Sequence, residues 1–474
     1  MPRFSTFVCV LALLLFTLVG VKEGQVFAKD VSKNAALISG AQRDNNQQRP
    51  RAALKKLNDA GANLSDDNFG AYHEELGRAH FTLRDFSAAE QAWGKASKRE
   101  DATTWVKLNY AKVLHVLGRW TDAAAVVENT DLKEESDGKE AAVLKVVING
   151  PFKEHWKSAY KKLEATSENV RYSVISDVGM NEKSMKKLEG QLAELNGKND
   201  AAKRKREQLL APHEHVVGIA DFLESISDEF LKTLGLESEK ASTGKAVFRV
   251  FLFSNYKDYA KLVKKVAPET PDQAIEGLVG LYSSSHKFLA VRAESSEEKI
   301  VPGLSAAAAR TLIHEAWHQV FDSICMERPM WLDEGLAEFF GNASFKGKLP
   351  KLGVLIRKHE ADDKGFAEVS RFTVIRKHIR ENSTIKLTDF FKNYSTVEAW
   401  HQTKDDQLLY AQAWSLAYYA MRGDNDEFKK AYLAFISGLL KGEKSKDLLS
   451  KSFPKEKLKE YEKSWKIYFR KLDS

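Results

Sequence analysis

Two histidines and three glutamates carry the chemistry that this sequence could do. Residues 311–321 read TLIHEAWHQVF, which sets His314 and His318 four positions apart. On a helix, side chains at that spacing project from one face about a turn from each other, so both imidazoles can reach a single ion. Glu315 stands beside them, close enough to touch a water held by the ion and badly placed to bind the ion itself. Two neutral imidazoles, with a carboxylate to take the water's proton, are what zinc-assisted hydrolysis needs. A catalytic site also needs a third protein ligand while leaving the fourth position to water. Glu334, within RPMWLDEGLAEFFGN, is the candidate. Glu338 follows one helical turn later on the same face. It suits an acid that accepts the remaining N–H of a ligand histidine. The expected cofactor is one Zn2+ ion.

Those side chains need two helices to hold them. Ser305, after Pro302 and Gly303, is the expected N-cap of the first, whose buried stripe would be Leu312, Ile313, Ala316, Trp317, Val320, Phe321 and Ile324. Pro329 would start the second helix and Gly341 end it, with Trp331, Leu332, Leu336 and Phe339 apolar. Gly335, beside Glu334, is expected to let the second helix come near the first. Upstream, VRYSVISD (170–177), AVFRVFLFS (246–254) and a pair within GLVGLYSSSHKFLAV (277–291) read as strands, with a helix at YKDYAKLVKKV. Three or four strands thus precede the motif, and almost everything after it is helical. That order implies an α+β fold, mostly helical: a small mixed sheet, a helical half, and the motif helix between them.

HEAWH followed by WLDEGLAEFF resembles the gluzincin zinc peptidases, the clan of thermolysin and the M1 aminopeptidases. It is most similar to the bacterial peptidase-MA-like family, which tetratricopeptide repeats often precede. The resemblance spans about residues 170–470, with its sharp motifs confined to 311–341. It implies that His314, His318 and Glu334 bind zinc, that Glu315 is the general base, and that Glu338 orients a ligand histidine. It also implies a donor for the oxyanion, a Tyr at the start of a later helix. Tyr410, in LLYAQAWSLAYYAM, matches that place, with His401 as substitute; Tyr418 and Tyr419 read as packing residues. The chain lacks the Gly-x-Met-Glu-Asn segment with which M1 enzymes grip a free amine. Peptide or protein substrates, cut internally, are the implied class, and 277–291 could be an edge strand that pairs with an extended peptide.

The region before 170 reads as helical hairpins. Setting Gly77 against Ala111, Phe86 against Trp120 and Ala89 against Ala123 gives a constant offset of 34 residues, the period of tetratricopeptide repeats. RAALKKLNDAG (51–61) and residues 141–165 look like partial units on either side. Such an array could bind a protein partner or act as a spacer or cap; the sequence leaves both open. The implied domains are a signal peptide at 1–28, repeats at 29–167, and a metallopeptidase domain at 168–474 with a charged helical insertion at about 181–235. The N-terminus has one Arg, an apolar run from Phe7 to Gly20, and Val26 and Ala28 before Lys29, the layout of an export signal. Export would deliver the protein to the periplasm, the envelope or the medium. An uncleaved anchor is the competing reading of that run, and no transmembrane span is expected after cleavage. Cys9 leaves with the signal, so Cys325 has no partner for an internal disulfide.

The net charge is +7, from 73 basic and 66 acidic residues, and the basic run KRKRE (203–207) sits in a charge-rich helical stretch. It reads as a solvated face, so no nucleic-acid partner is expected. His213 and His215, in PHEHV, read as a surface turn. The rival to an enzyme is a repeat-based interaction scaffold whose zinc site is structural or silent.

Overall fold

The computed structural model describes residues 33–61, 64, 66–132, 134–151, 164–166, 171–176, 214–237, 246–293, 304–346, 350–357, 370–402 and 406–472. The expected signal, the run at 203–207 and His213 lie outside the described residues, as does the side chain of His215. No helix of the described residues is long and apolar enough to cross a membrane.

Helices α1 (Lys33–Asn46) and α2 (Pro50–Ala60), α3 (Asp66–Thr82) and α4 (Phe86–Ser97), and α5 (Thr104–Val116) and α6 (Trp120–Glu128) pack as successive hairpins, followed by α7 (Glu135–Asn149). The sequence offset survives in space: Phe86 and Trp120 each begin the second helix of a hairpin. Asp85 and Thr103 cap α4 and α5 by accepting from the Ala88 and Val106 amides. A Cβ added at Gly77 would sit 2.4 Å from the Trp93 ring, so glycine is what lets α3 and α4 close over that indole. The turns after α3 and α5 hold Arg84 and Gly118 in the left-handed region, at φ +67° and +74°.

Strands β1 (Glu164–Thr166), β2 (Tyr172–Ser176), β3 (Phe248–Phe253), β4 (Gly280–Ser283) and β5 (Phe288–Arg292) form one sheet ordered β1-β2-β3-β5-β4. β2, β3 and β5 are parallel; β1 and β4 run antiparallel at the edges. Helices α8 (Glu214–Leu234), α9 (Tyr256–Val266) and α10 (Asp272–Gly277) fall between the strands in sequence. The two-residue period of a strand sorts side chains to opposite faces. Val250, Leu252, Leu289 and Val291 join the core around α8 and α11 (Ala306–Ile324), whereas Phe251, Phe253, Phe288 and Ala290 join one shared with α7 and α9.

The described end of the 181–235 stretch is helical as expected, but it is a core helix and not a charged one on the surface. In α8, Val216, Ile219, Leu223, Ile226 and Phe230 recur at helical spacing and are buried, and Phe230 meets Trp317 edge-on at 5.7 Å. Charges interleaved on its other face hid that stripe.

After α12 (Met330–Gly341) come α13 (Arg371–Arg380), α14 (Leu387–Asn393), α15 (Val397–His401), α16 (Asp406–Arg422), α17 (Asp426–Leu440), α18 (Ser445–Ser452) and α19 (Lys455–Lys471). Trp331 is fully buried against Phe391, Phe435 and Phe453, which fastens α12 to this helical half. The architecture is therefore mostly helical with a small mixed sheet, and α11 lies between the two halves, against β4 and β5 on one side and α12 on the other. The repeats share this core. Phe86, Trp93 and Val116 belong to the same apolar cluster as Trp317. The Val247 amide donates to the Val116 carbonyl at 2.8 Å, and the Arg249 guanidinium lies 4.0 Å from the centre of the Trp120 ring.

Candidate metal centre

Ser305 caps α11 as its sequence implies, accepting from the Ala308 amide at 3.2 Å. The apolar stripe is buried, with Ile324 partly so, but the burial extends round the helix to His314, Glu315, His318, Gln319 and Asp322. A helix covered on every side can hold polar side chains only if other elements supply their partners. Here α12 supplies partners for the two histidines, whereas Gln319 donates to the Arg249 carbonyl of β3 and Asp322 accepts from Arg84 and Tyr282.

His314 and His318 bring their Nε2 atoms within 3.3 Å of each other. Glu334 faces both, its Oε2 3.5 Å from His314 Nε2 and its Oε1 3.7 Å from His318 Nε2. One ligand atom from each of the three lies within 4.8 Å of the others, and all three residues are buried. Buried Glu334 Oε2 makes no hydrogen bond among the described residues. Two ring nitrogens and a carboxylate converging on one point, with an orphaned oxygen among them, fit a metal ion.

The outer nitrogens set the inner ones. His318 Nδ1–H donates to Asp333 Oδ1 at 2.8 Å, which turns the Nε2 lone pair towards the centre, and Asp333 is itself held by Arg328 at 2.5 Å. Glu338 lies on the matching side of His314, 4.0 Å from Nδ1, beyond hydrogen-bond length. Its carboxylate instead forms a two-point pair with Arg371, at 3.0 and 2.8 Å. Burial works against a charged His318, yet the carboxylates of Asp333 and Glu334 outweigh it and push the imidazole up to about 9. His314 is raised as well: burial opposes this, and Glu334 overcomes it. The pocket thus has a field that favours positive charge.

Glu315 is 1% exposed. Burial raises its carboxyl above the usual range, while the two histidines and a backbone hydrogen bond from Tyr282 pull the other way. β4, the edge strand, passes directly against it: a Cβ added at Gly280 would sit 2.7 Å from Glu315 Cγ and 2.6 Å from Thr311 Cγ2. Glycine is needed there for the strand to come so close.

Gly335 acts on a different neighbour from the one expected. A Cβ at Gly335 would meet the Ala413 carbonyl of α16 at 2.6 Å, whereas the glycine that faces α11 is Gly341, whose added Cβ would lie 3.3 Å from His314 Cβ. Gly335 follows Glu334 by one residue, about 100° round the helix, so it points away from the ligand face. Tyr410, in α16, is buried, with Trp400 edge-on at 5.3 Å and the Arg371 guanidinium 5.1 Å from its ring centre. Arg371 thereby joins Tyr410 to Glu338. His401 ends α15, and its side chain lies outside the described residues. Tyr418 and Tyr419 pack on Trp414 and Phe428, respectively.

A family model described as "Protein of unknown function (DUF1570)" matches residues 308–438. That span contains the three converging side chains, Glu315, Glu338 and Tyr410. No curated protein and no solved structure matches the chain.

Sequence reasoning missed Asp333, Arg328 and Arg371. Asp333 stands next to Glu334, off the face shared by Glu334 and Glu338, and only the crossing of α11 over α12 gives it a histidine.

Proposed function

We propose that the protein is an exported zinc metallopeptidase of gluzincin type, which cuts peptide bonds within extended or unfolded segments. The observation that carries this reading is the convergence of His314, His318 and Glu334 beside a buried Glu315 at a sheet edge. Bound there, zinc would supply Lewis acidity, polarising the scissile carbonyl and lowering the pKa of a water. Glu315 takes a proton from the attacking water as its oxygen bonds to the carbonyl carbon. It then delivers that proton to the nitrogen as the C–N bond breaks. Burial favours this role, because a raised carboxyl is a better proton acceptor. Asp333 keeps His318 in one tautomer and one orientation. The Tyr410 hydroxyl is the proposed donor to the oxyanion, and Arg371 and Trp400 hold its ring. The outer side of β4, an edge strand among the described residues, would pair with the substrate main chain.

A structural or silent metal site would gain nothing from Glu315, whose carboxylate costs free energy to bury. The test is Glu315→Gln beside His318→Ala. Glu315→Gln should retain one equivalent of zinc by metal analysis and lose about 100-fold or more of its hydrolysis of a peptide library. His318→Ala should lose the metal. A metal-loaded, fully active Glu315→Gln protein would contradict the role given to this residue.

A further inference from the structure

The turn between α3 and α4 reaches across to the last turn of α11. Arg84 donates from Nη2 to Asp322 Oδ1 at 2.8 Å and from Nε to the Asp322 carbonyl at 2.5 Å. That carbonyl is one of the last four of α11, for which the helix supplies no donor. Asp322, only 2% exposed, also takes the Tyr282 hydroxyl at 2.6 Å, the Lys287 ammonium, and Arg328 at 3.3 Å. Arg328 makes its shorter contact, 2.5 Å, with Asp333, whose other oxygen holds His318.

Two buried aspartates therefore compete for one arginine. With Arg84 and Lys287 on Asp322, Arg328 leans to Asp333. Without Arg84, Asp322 Oδ1 keeps Arg328 as its cation, now at 3.3 Å, and the pull on that guanidinium shifts towards Asp322. The backbone points the same way. Arg84 holds φ +67° where the repeat-equivalent residue is Gly118 at +74°. The array can make this turn with glycine, yet here it carries a long cation in a conformation that strains any residue with a Cβ. The gain is the bond to Asp322.

We propose that Arg84 is a positioning residue of the metal centre: by occupying Asp322, it keeps Arg328 on Asp333 and so fixes the imidazole of His318. The repeats are then part of the site's support and not an appended module. This inference rests on the metal reading above.

The test compares the native chain with Arg84→Met, Arg84→Lys and Arg119→Met. Co2+ affinity is measured by chelator competition, the visible spectrum of the Co2+ form is recorded, and the metal-free proteins are melted. Arg84→Met should weaken Co2+ binding about tenfold, the lower end of what loss of support behind a ligand histidine costs. It should also alter the cobalt band, which a loss of global stability alone would not do. Arg84→Lys should recover part of the affinity. Among the described residues Arg119, in the next repeat turn, forms ion pairs with Glu90 and Asp122, so Arg119→Met should behave as native. Native affinity and spectrum in folded Arg84→Met overturn the proposal. Should Arg84→Met fail to fold, Arg84→Lys decides: native affinity and spectrum overturn the proposal, and weaker binding with a native melt supports it. A native chain that takes up no cobalt defeats the metal reading itself, and this inference with it.

Discussion

In the repeats, Trp93 fills the space over Gly77 in the adjoining helix, while in the half that carries the candidate metal centre Asp322 is satisfied by Arg84, 238 positions away. The first arrangement is apolar and local, so each hairpin carries its own share of stability. The second is polar, buried and assembled from distant parts of the chain, so an error in one member leaves the others unsatisfied. The contrast teaches that order in the repeats is set by steric fit, and order around the centre by a count of charges and donors. Damage should follow that division.

The largest effect should come where the metal half is itself apolar. Trp331→Ala should cost about 3–5 kcal/mol in urea unfolding, since the indole is enclosed by aromatic rings from two helices and one loop residue. A loss below about 1 kcal/mol would mean that α12 is not anchored through this residue. Next is Asp333→Asn, expected to weaken zinc binding by roughly 10- to 100-fold and also to lower the metal-free melt, since buried Arg328 loses its charged partner. An unchanged affinity would show that His318 needs no orienting acid. Gly77→Ala should act on stability alone, costing about 1–3 kcal/mol as the new methyl meets the Trp93 ring and leaving metal affinity as it was. If Gly77→Ala instead disturbed the metal and spared the melt, the division drawn above would fail.

The last effect is of another kind and concerns pH at the seam between the two regions. His115 is buried, and burial first, then the charge of Arg249, pushes its imidazole down to about 3. Lys112, His286 and the backbone of Lys287 also face it. The folded state stays unprotonated where the unfolded chain already binds a proton. Its contribution to stability is therefore complete above the ordinary histidine value of 6.5 and is lost as pH falls from there towards 3. His115→Gln, which cannot titrate, should give a shallower loss of stability between those limits in a series of melts. A slope identical to the native one would remove His115 from the acid response.

What could be read from the sequence follows from the range of each interaction. The hairpins were legible because Gly77, Phe86 and Ala89 recur one repeat later as Ala111, Trp120 and Ala123. His314, His318 and Glu334 were legible because two helices with clear caps and apolar faces present them. α8 was hidden, since its stripe of Val216, Ile219 and Leu223 adjoins a long charged run. The neighbour of Gly335 was misread, because which helix meets which face depends on α16, many residues away. Asp333, Asp322 and Arg84 carry no local signal at all. An aspartate becomes a histidine's partner, or an arginine's, only when the fold is complete.

Cys325 stands at the end of α11, buried, with its thiol directed to the Glu327 carbonyl at 3.2 Å, and burial pushes it up to about 12. Such a sulfur is closed to oxidants and alkylating reagents for as long as this corner stays shut. In a Cys9→Ser chain Cys325 is a single slow-reacting handle, and its labelling rate would serve as a clock for how often the helix terminus beside the centre breathes open.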